Sequence, residues 1–460
     1  MINIDLDEGS MSKFGSEAVL QSKSTDGNVY WLDGLAPFTS TKAEPLRSVD
    51  VAVIGSGYTG LHAAIVTARA GRSTQVIDKH MPGWGCSTRN GGQISSSIKP
   101  TLATLTRQYG ANHAMAIRDE GYKSLDWIDT FITTENIHCN YKKCGRFHAA
   151  HTPTHFNELV RETQKLGKEE GVEFKIVPRN EQHKELGTDS YFGGVMLTNH
   201  ASLDPAKYYL GLLSKAKLAG AQITGGCPAQ DIRKDGEAFI ITTPKGEIRA
   251  ENIIIATNGY TTNLVPWVRR RVIPIGTYMI ATEPVPKALM DKLFPTDRVV
   301  SDTCKVIYYY RPSPDRSRVL FGGRVSADET NPTLSGPKLK NDMCRIFPEL
   351  ANYDYTHSWT GTVAFTFDTL PHLGSHNGIY YAMGYCGSGI GLSSYLGSRL
   401  GQQLIGNPEG DTAFDSLRFQ TRPLYFGKPW FLPSIVRWYR FRDKIQIKRA
   451  MSRSKTTSDL

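Results

Sequence analysis

Val51-Ala-Val-Ile-Gly-Ser-Gly-Tyr-Thr-Gly60, running on through Leu61-His-Ala-Ala-Ile-Val66 to Gly71 and then Ser73-Thr-Gln-Val-Ile-Asp78, is the stretch that decides the fold. Residues 51–54 are a short apolar run, the pattern of a strand buried on both faces of a parallel sheet. Gly55, Gly57 and Gly60 follow with G-x-G-x-x-G spacing. The first glycine permits a tight turn, the second lets backbone approach a pyrophosphate, and the third lets the helix pack closely on the strand. Ser56, Tyr58 and Thr59 fill the turn, so their amides belong to the partly positive helix N-terminus on which phosphates sit. Asp78, with Lys79 beside it, ends a second apolar run about twenty residues on. A carboxylate there accepts hydrogen bonds from the adenosine ribose hydroxyls and repels a 2′-phosphate, which argues against NADP.

Glycines also cluster in ordinary turns, so the spacing alone is weak. Strand, helix and terminal acid in register make it specific. The chain of 460 residues is 40% hydrophobic and 21% charged, an ordinary globular composition with room for two domains. No segment has the apolar length of a membrane span, and the polar, acidic start lacks a signal-peptide pattern, which predicts a cytoplasmic protein. Seven scattered cysteines without a C-x-x-C pair suggest reduced thiols and no metal site.

The net charge of +10 is concentrated at one end: residues 428–460 hold nine Lys or Arg against two Asp. Trp430, Phe431, Trp438, Tyr439 and Phe441 are interleaved with those cations. The pattern fits a helix docked on its own domain with cations in water. That is the simpler reading; the alternative is an amphipathic segment able to meet anionic lipid or another protein, which would make the protein membrane-associated. No recognition motif accompanies the charge, so nucleic acid is not an expected partner.

Further along, residues 83–93 form a Gly- and Asn-rich loop suited to close backbone approach to something flat or anionic. A helix is predicted over 111–135, a strand pair at 139–150 and 193–197, and a helix from Asp204-Pro205 to Gly220. A strand pair is expected at 238–242 and 247–250. Residues 252–259 read as a further buried strand that ends in small polar residues. β-prone runs recur at 271–284, 299–311 and 319–325, the last two joined as a hairpin. The chain then returns with an apolar strand from Ile379 into Gly387-Ser-Gly-Ile-Gly391 and a second helix. Two glycine-rich helix starts suit FAD rather than NAD, because reduced flavin carries negative charge that a helix N-terminus stabilises. A Gly-rich packing contact is the plain alternative.

Taken together, Tyr30-Trp-Leu, the Gly55 fingerprint, 83–93, Cys144-Gly-Arg, Ala256-Thr-Asn-Gly259, 277–284, Leu320-Phe-Gly-Gly-Arg324, Trp359-Thr-Gly361 and Gly384-Tyr-Cys-Gly-Ser-Gly389 resemble the D-amino-acid-oxidase-like family of FAD-dependent oxidoreductases. The likeness is to its gamma-glutamylputrescine oxidoreductase branch. That resemblance implies an α/β fold: a Rossmann-type FAD-binding domain, discontinuous in sequence, with a mixed β-sheet substrate domain. The expected division is an N-terminal arm at 1–45; an FAD domain from 46–110, 200–265 and 355–425; a substrate domain from 111–199 and 266–354; and a basic aromatic tail at 426–460.

By the same resemblance, Ser87, Arg89, Asn90, Gly91, Gly92 and Gln93 pass beside the flavin and pyrophosphate. Ala229 lies in the strand that meets adenine, Thr257, Asn258 and Gly259 border the cofactor, and Gly387, Ser388, Gly389, Ile390 and Gly391 approach the flavin. The implied reaction is oxidation of an amine or N-substituted amino acid, in amino-acid or polyamine catabolism, by hydride transfer to flavin N5. The imine product hydrolyses, and oxygen is reduced to hydrogen peroxide. A dehydrogenase passing electrons to a quinone or carrier protein is one alternative, and a non-catalytic flavin-binding protein another. The sarcosine-oxidase branch attaches its flavin through a cysteine where Ala364 stands here, so FAD is expected to be non-covalent. Residues 319–322 also lack that branch's oxygen-activating lysine.

Arg311 and Arg324 lie on candidate active-site strands, where a guanidinium can hold a substrate carboxylate with paired hydrogen bonds. Either could instead form a surface ion pair. Tyr308, Tyr309 and Tyr310 alternate along one strand, so at least one should face the pocket while another packs or meets solvent; Tyr309 is the third substrate-positioning candidate. His148 and Phe147 lie where the resembled family has a pocket-facing strand, but His148 reads more simply as a satisfied structural histidine.

Overall fold

In the computed structural model, which describes residues 28–41, 44–324 and 331–458, the strand Ser48–Ile54 buries Val51, Ala52 and Val53 completely. It can do so because parallel strands Thr74–Ile77 and Gly246–Ile255 flank it and helices cover both faces. Gln222–Thr224 extends the sheet beyond Thr74–Ile77. Ile379–Met383, with antiparallel His372–His376, extends it on the other side.

Gly246–Ile255 is one continuous strand rather than the two expected from the sequence. Its first half, residues 246–250, pairs antiparallel with Ala238–Thr243, and residues 249–255 run parallel to Ser48–Ile54. The helices Tyr58–Arg69 and Gly389–Leu404 pack so tightly that a Cβ on Gly397 would come 2.5 Å from the Thr59 carbonyl oxygen. This close approach brings both helix N-termini to the same end of the sheet.

A second eight-stranded sheet runs in the order Tyr355–Phe365, Ile273–Thr282, Val319–Gly323, Tyr309–Pro312, Val299–Asp302, Arg146–Ala149, Gly194–Leu197 and Phe174–Val177. Period-2 alternation gives it two distinct faces. Phe147, Val300, Tyr310 and Phe321 point to one side and form a core with Leu339 and Met343 of the helix Pro332–Ile346. Their neighbours His148, Ser301, Tyr309 and Gly322 are directly paired across successive strands and point to the other side.

The β-prone run 299–311 is split into two strands. Asp302 Oδ1 accepts from the amides of both Cys304 and Tyr308, closing a tight loop between them. The expected hairpin to 319–325 is present, with Arg311 opposite Leu320.

Two segments sit differently from the sequence-based division. The strand Tyr355–Phe365, grouped there with the nucleotide unit, pairs along its length with Ile273–Thr282 in the second sheet. The helix Ala111–Thr134, grouped there with the substrate domain, buries Ile117, Leu125 and Ile128 in the core that contains Leu61 and Leu396. Both patterns are amphipathic, and amphipathicity does not say which core receives the apolar face. Residues 1–27 of the expected arm, and Val325 at the end of its strand, lie outside the described residues.

Candidate active site

The first glycine turn has the geometry its spacing demands. Gly55 adopts φ +107°, and a Cβ there would lie 2.9 Å from the Ala256 carbonyl oxygen. A Cβ on Gly60 would lie 2.0 Å from Gly55 O, so the third glycine serves strand–helix packing. Asp78 Oδ2 accepts from the Ser56 amide at 2.8 Å and the Ser56 hydroxyl at 2.7 Å, and Oδ1 accepts from the His80 amide at 2.9 Å. A carboxylate offers about four acceptor positions, so one remains for a ligand hydroxyl.

Residues 87–93 lie against this turn and are held from three sides. Ser87 Oγ accepts from the Tyr58 amide at 3.0 Å. The indoles of Trp31 and Trp359 donate to the carbonyls of Asn90 and Arg89, each at 2.8 Å. Arg311 Nη1 donates to Gly92 O at 2.9 Å and Leu203 O at 3.0 Å, and its Nε donates to Pro312 O. Within the loop, Asn90 Oδ1 accepts from the Gly92 amide while its Nδ2 donates to Cys86 O and Ser87 O.

These elements enclose a cavity of about 1430 Å³. That exceeds the roughly 300–1,000 Å³ of an ordinary small-molecule pocket and leaves room for a dinucleotide and a second molecule. Gly55, Ser56, Gly57, Tyr58, Thr59, Asp78, Lys79, Ser87, Asn90, Gly91, Gln93, Ala229, Thr257, Asn258, Gly387, Ser388, Gly389 and Ile390 all line it. Ala229 does so from the loop between Gln222–Thr224 and Asp231–Asp235, not from a strand.

Gly60, Arg89, Gly92, Gly259 and Gly391 are not among its lining residues. Gly259 packs against Thr362, Gly391 faces Ser124, and Arg89 donates to Trp84 O. Their work is to shape the wall. The amide-rich turn, the spare acceptor on Asp78 and the small residues Cys227, Pro228 and Ala229 beside it fit an adenine dinucleotide.

The substrate candidates separate. Tyr309 reaches the cavity and its ring lies against Gly91 and Gly322, where a Cβ would come within 3.1 and 2.4 Å of it. Arg324 also lines the cavity but is tethered, donating from Nη1 to Gly276 O at 2.7 Å. Arg311 does not line it. Its guanidinium is buried and bound to backbone carbonyls, so it is neither a surface ion-pair partner nor a pocket residue.

Except for His148, which the resemblance already places on a pocket-facing strand, the remaining lining residues are not singled out as site residues by the sequence. Lys99, Arg146, His148, Ser301 and Tyr385 line the cavity, as do Leu432, Val436 and Tyr439 of the C-terminal helix Leu432–Ser458. His148 Nδ1 is 2.9 Å from Ser301 Oγ and 3.2 Å from Ser301 O. The carbonyl can only accept, which places the proton on Nδ1 and leaves Nε2 as an acceptor. Burial first, and then Arg146, pushes the His148 pKa down to about 3, so the imidazole is neutral. Burial also lowers Arg146 to about 10 and lowers Lys99, to which Arg146 adds.

The C-terminal helix bridges the cavity rim. Asp443 accepts from the Val306 amide at 3.0 Å, and Arg440 donates to Arg324 O. Its outer side leaves Trp438 and Phe441 exposed.

The fold and this cavity define a dinucleotide-dependent oxidoreductase class. The chain belongs to the FAD dependent oxidoreductase family, which it matches over residues 50–403. It is 30% identical over 404 residues to the probable oxidoreductase OrdL of Rhizobium meliloti, covering 86% of this chain and 93% of that protein. It is 27% identical to the gamma-glutamylputrescine oxidoreductase of Escherichia coli, covering 86% and 93%. Among solved structures, glycine oxidase from Geobacillus kaustophilus superposes with a TM-score of 0.68 at 20% identity, covering 82% of this chain and 99% of that one. The protein is therefore an FAD-dependent oxidoreductase of the class that acts on C–N bonds of amines and amino acids.

Proposed function

We propose that the protein oxidises an amine or N-substituted amino acid at the carbon next to nitrogen, with oxygen as electron acceptor. The observation that carries this is one continuous cavity joining the glycine-built groove to the sheet face bearing Tyr309, Ser301 and His148. Bound FAD supplies the two-electron acceptance; the chain supplies placement and exclusion of water. In balance, the amine loses two electrons and two protons to become an imine, water hydrolyses the imine, and oxygen takes both electrons and protons to leave as hydrogen peroxide. Neutral His148 offers Nε2 as an acceptor for an N–H of the substrate, and the aromatic wall at Tyr309 confines the reacting end.

The purified protein should be yellow, and an amine panel should bleach it without air. Return of colour in air with peroxide release supports the oxidase. Bleaching without reoxidation points to a dehydrogenase that hands electrons to a quinone or carrier. No bleaching by any small molecule leaves a flavin-binding protein.

The C-terminal helix favours a second element of this reading, a peripheral contact with anionic lipid by a cytoplasmic enzyme. Exposed Trp438 and Phe441 lie among Arg437, Lys444 and Lys448, also exposed, close in sequence to exposed Phe426 and Trp430. Among the described residues no helix is long and apolar enough to cross a membrane. Sedimentation with phosphatidylserine vesicles, lost in a Trp438→Ser/Phe441→Ser variant, is the expected result. Equal sedimentation with neutral vesicles would remove the electrostatic part.

A further inference from the structure

The inward side of the C-terminal helix Leu432–Ser458 is a regular stripe. Leu432, Ile435, Val436 and Tyr439 line the cavity, and their spacing puts them on one face of a helix. Leu432 and Val436 are buried, while Ile435, 39% exposed, stands at the rim. Asp443, one turn past Tyr439 on the same face, is buried and accepts from the Val306 amide at 3.0 Å. Arg440 donates to Arg324 O and lies 3.8 Å from Asp342, whose Oδ2 in turn accepts from the Tyr308 hydroxyl at 2.6 Å. These anchors tie the helix to the second sheet and to the helix Pro332–Ile346 that covers it.

Strand register fixes which end of the cavity the stripe closes. Gly322 pairs with Tyr309, whose ring packs on it. Arg324 lies two residues further along, a step of roughly 7 Å. Continuing the register puts it opposite Ile307, which lines the cavity together with Val306. Two residues the other way, Arg311 reaches Gly92 of the cofactor loop. The cofactor loop and the C-terminal helix therefore lie toward opposite ends of the strand bearing Tyr309. Beyond Tyr309 the wall is hydrocarbon: Val306, Ile307, Leu432, Val436 and the ring of Tyr439. The family match ends at residue 403, so this far wall comes from a segment outside the stretch that defines the family.

We propose that Val436 and Tyr439 determine specificity by setting how long an apolar chain the substrate can carry beyond its reacting carbon. This deepens the amine-oxidation reading and rests on it for the reacting end only. Each methylene withdrawn from water against these side chains tightens binding by about fourfold. A chain one carbon too long must fold back or displace a helix held by Asp443 and Arg440, so the gain stops at a definite length.

The test uses the FAD-loaded enzyme and unbranched primary amines from propylamine to decylamine. The constant read from flavin bleaching should fall by about fourfold per methylene up to a limiting length and then stop falling. Val436→Trp should move that limit to a shorter chain and Tyr439→Ala to a longer one, while Tyr439→Phe should keep the native limit. Should Val436→Trp fail to fold, Val436→Ala, which only removes atoms, should lengthen the limit.

Calorimetric titration with the matching unbranched alkanamides, which carry no oxidisable amine, reads the same wall without turnover. Their affinity should show a length limit that the same variants shift. If no amine bleaches the flavin but the amides behave in this way, the amine-oxidation reading fails and the wall stands. Affinity that rises steadily to the longest chain, affinity independent of chain length, or one limit shared by the native protein and the Val436 and Tyr439→Ala variants overturns the proposal.

Discussion

The two ends of the cavity are built by different means. At the nucleotide end, contact surfaces are backbone: glycine turns, helix N-termini and the carbonyl-clamped loop 87–93. At the substrate end they are side chains that alternate out of a sheet whose strands are drawn from both sides of the nucleotide segments. Backbone surfaces tolerate almost no added atom, whereas side-chain surfaces can be retuned one residue at a time. The nucleotide end is therefore fitted to one cofactor, and the substrate end is where specificity resides.

The sharpest way to break this contrast is to add one carbon at the nucleotide end. Gly60→Ala places a methyl 2.0 Å from Gly55 O, against backbone that cannot yield. The expected outcome is near-complete loss of folded, yellow protein, read by flavin absorbance and circular dichroism; a yellow, folded variant would refute the tight-turn account.

Arg311 tests where the boundary between the ends lies. Arg311→Ala strands the carbonyls of Gly92 and Leu203, at roughly 1–3 kcal/mol each, and removes a clamp on the cofactor loop, so it should lower stability and weaken FAD retention. At saturating FAD the amine constant should change little. A large selective rise in that constant would return Arg311 to the substrate site.

The smallest effect concerns Asp302, on the packed face of the substrate sheet. Burial, the largest cause, raises its pKa to about 7, partly offset by the amides of Tyr308 and Cys304. A carboxyl whose folded pKa exceeds its unfolded value of about 3.9 keeps a proton that the unfolded chain has released, so it lowers stability as pH rises from about 4 to 7, with no further change above. Asp302→Asn keeps an acceptor for both amides and removes that dependence. Its Tm should exceed that of the native protein at pH 8 by more than at pH 5, reflecting a difference of a few kcal/mol. Parallel Tm–pH curves would show that Asp302 is ionised throughout.

The nucleotide end is legible in the sequence because its signal is local. Gly55, Gly57, Gly60 and Asp78 fall within one strand–helix–strand unit, and glycine is the residue that a tight turn and close approach require. Strand alternation is also local, so one of Tyr308, Tyr309 and Tyr310 is expected to face the pocket, but that it is Tyr309 follows from which face of the sheet is covered by the core with Leu339 and Met343. The role of Arg311 is not legible in this way, since an arginine that clamps carbonyls and one that grips a substrate have the same letter in the same strand.

What the chain determined by itself is its family, its cofactor turn and the alternation of its strands, all set by residues a few positions apart. Tertiary structure alone decided which sheet Tyr355–Phe365 joins, that Lys99, Arg146 and His148 share one cavity, and that the C-terminal helix rims it. Those relations join residues far apart in the chain, and they follow from which buried faces meet rather than from any local preference.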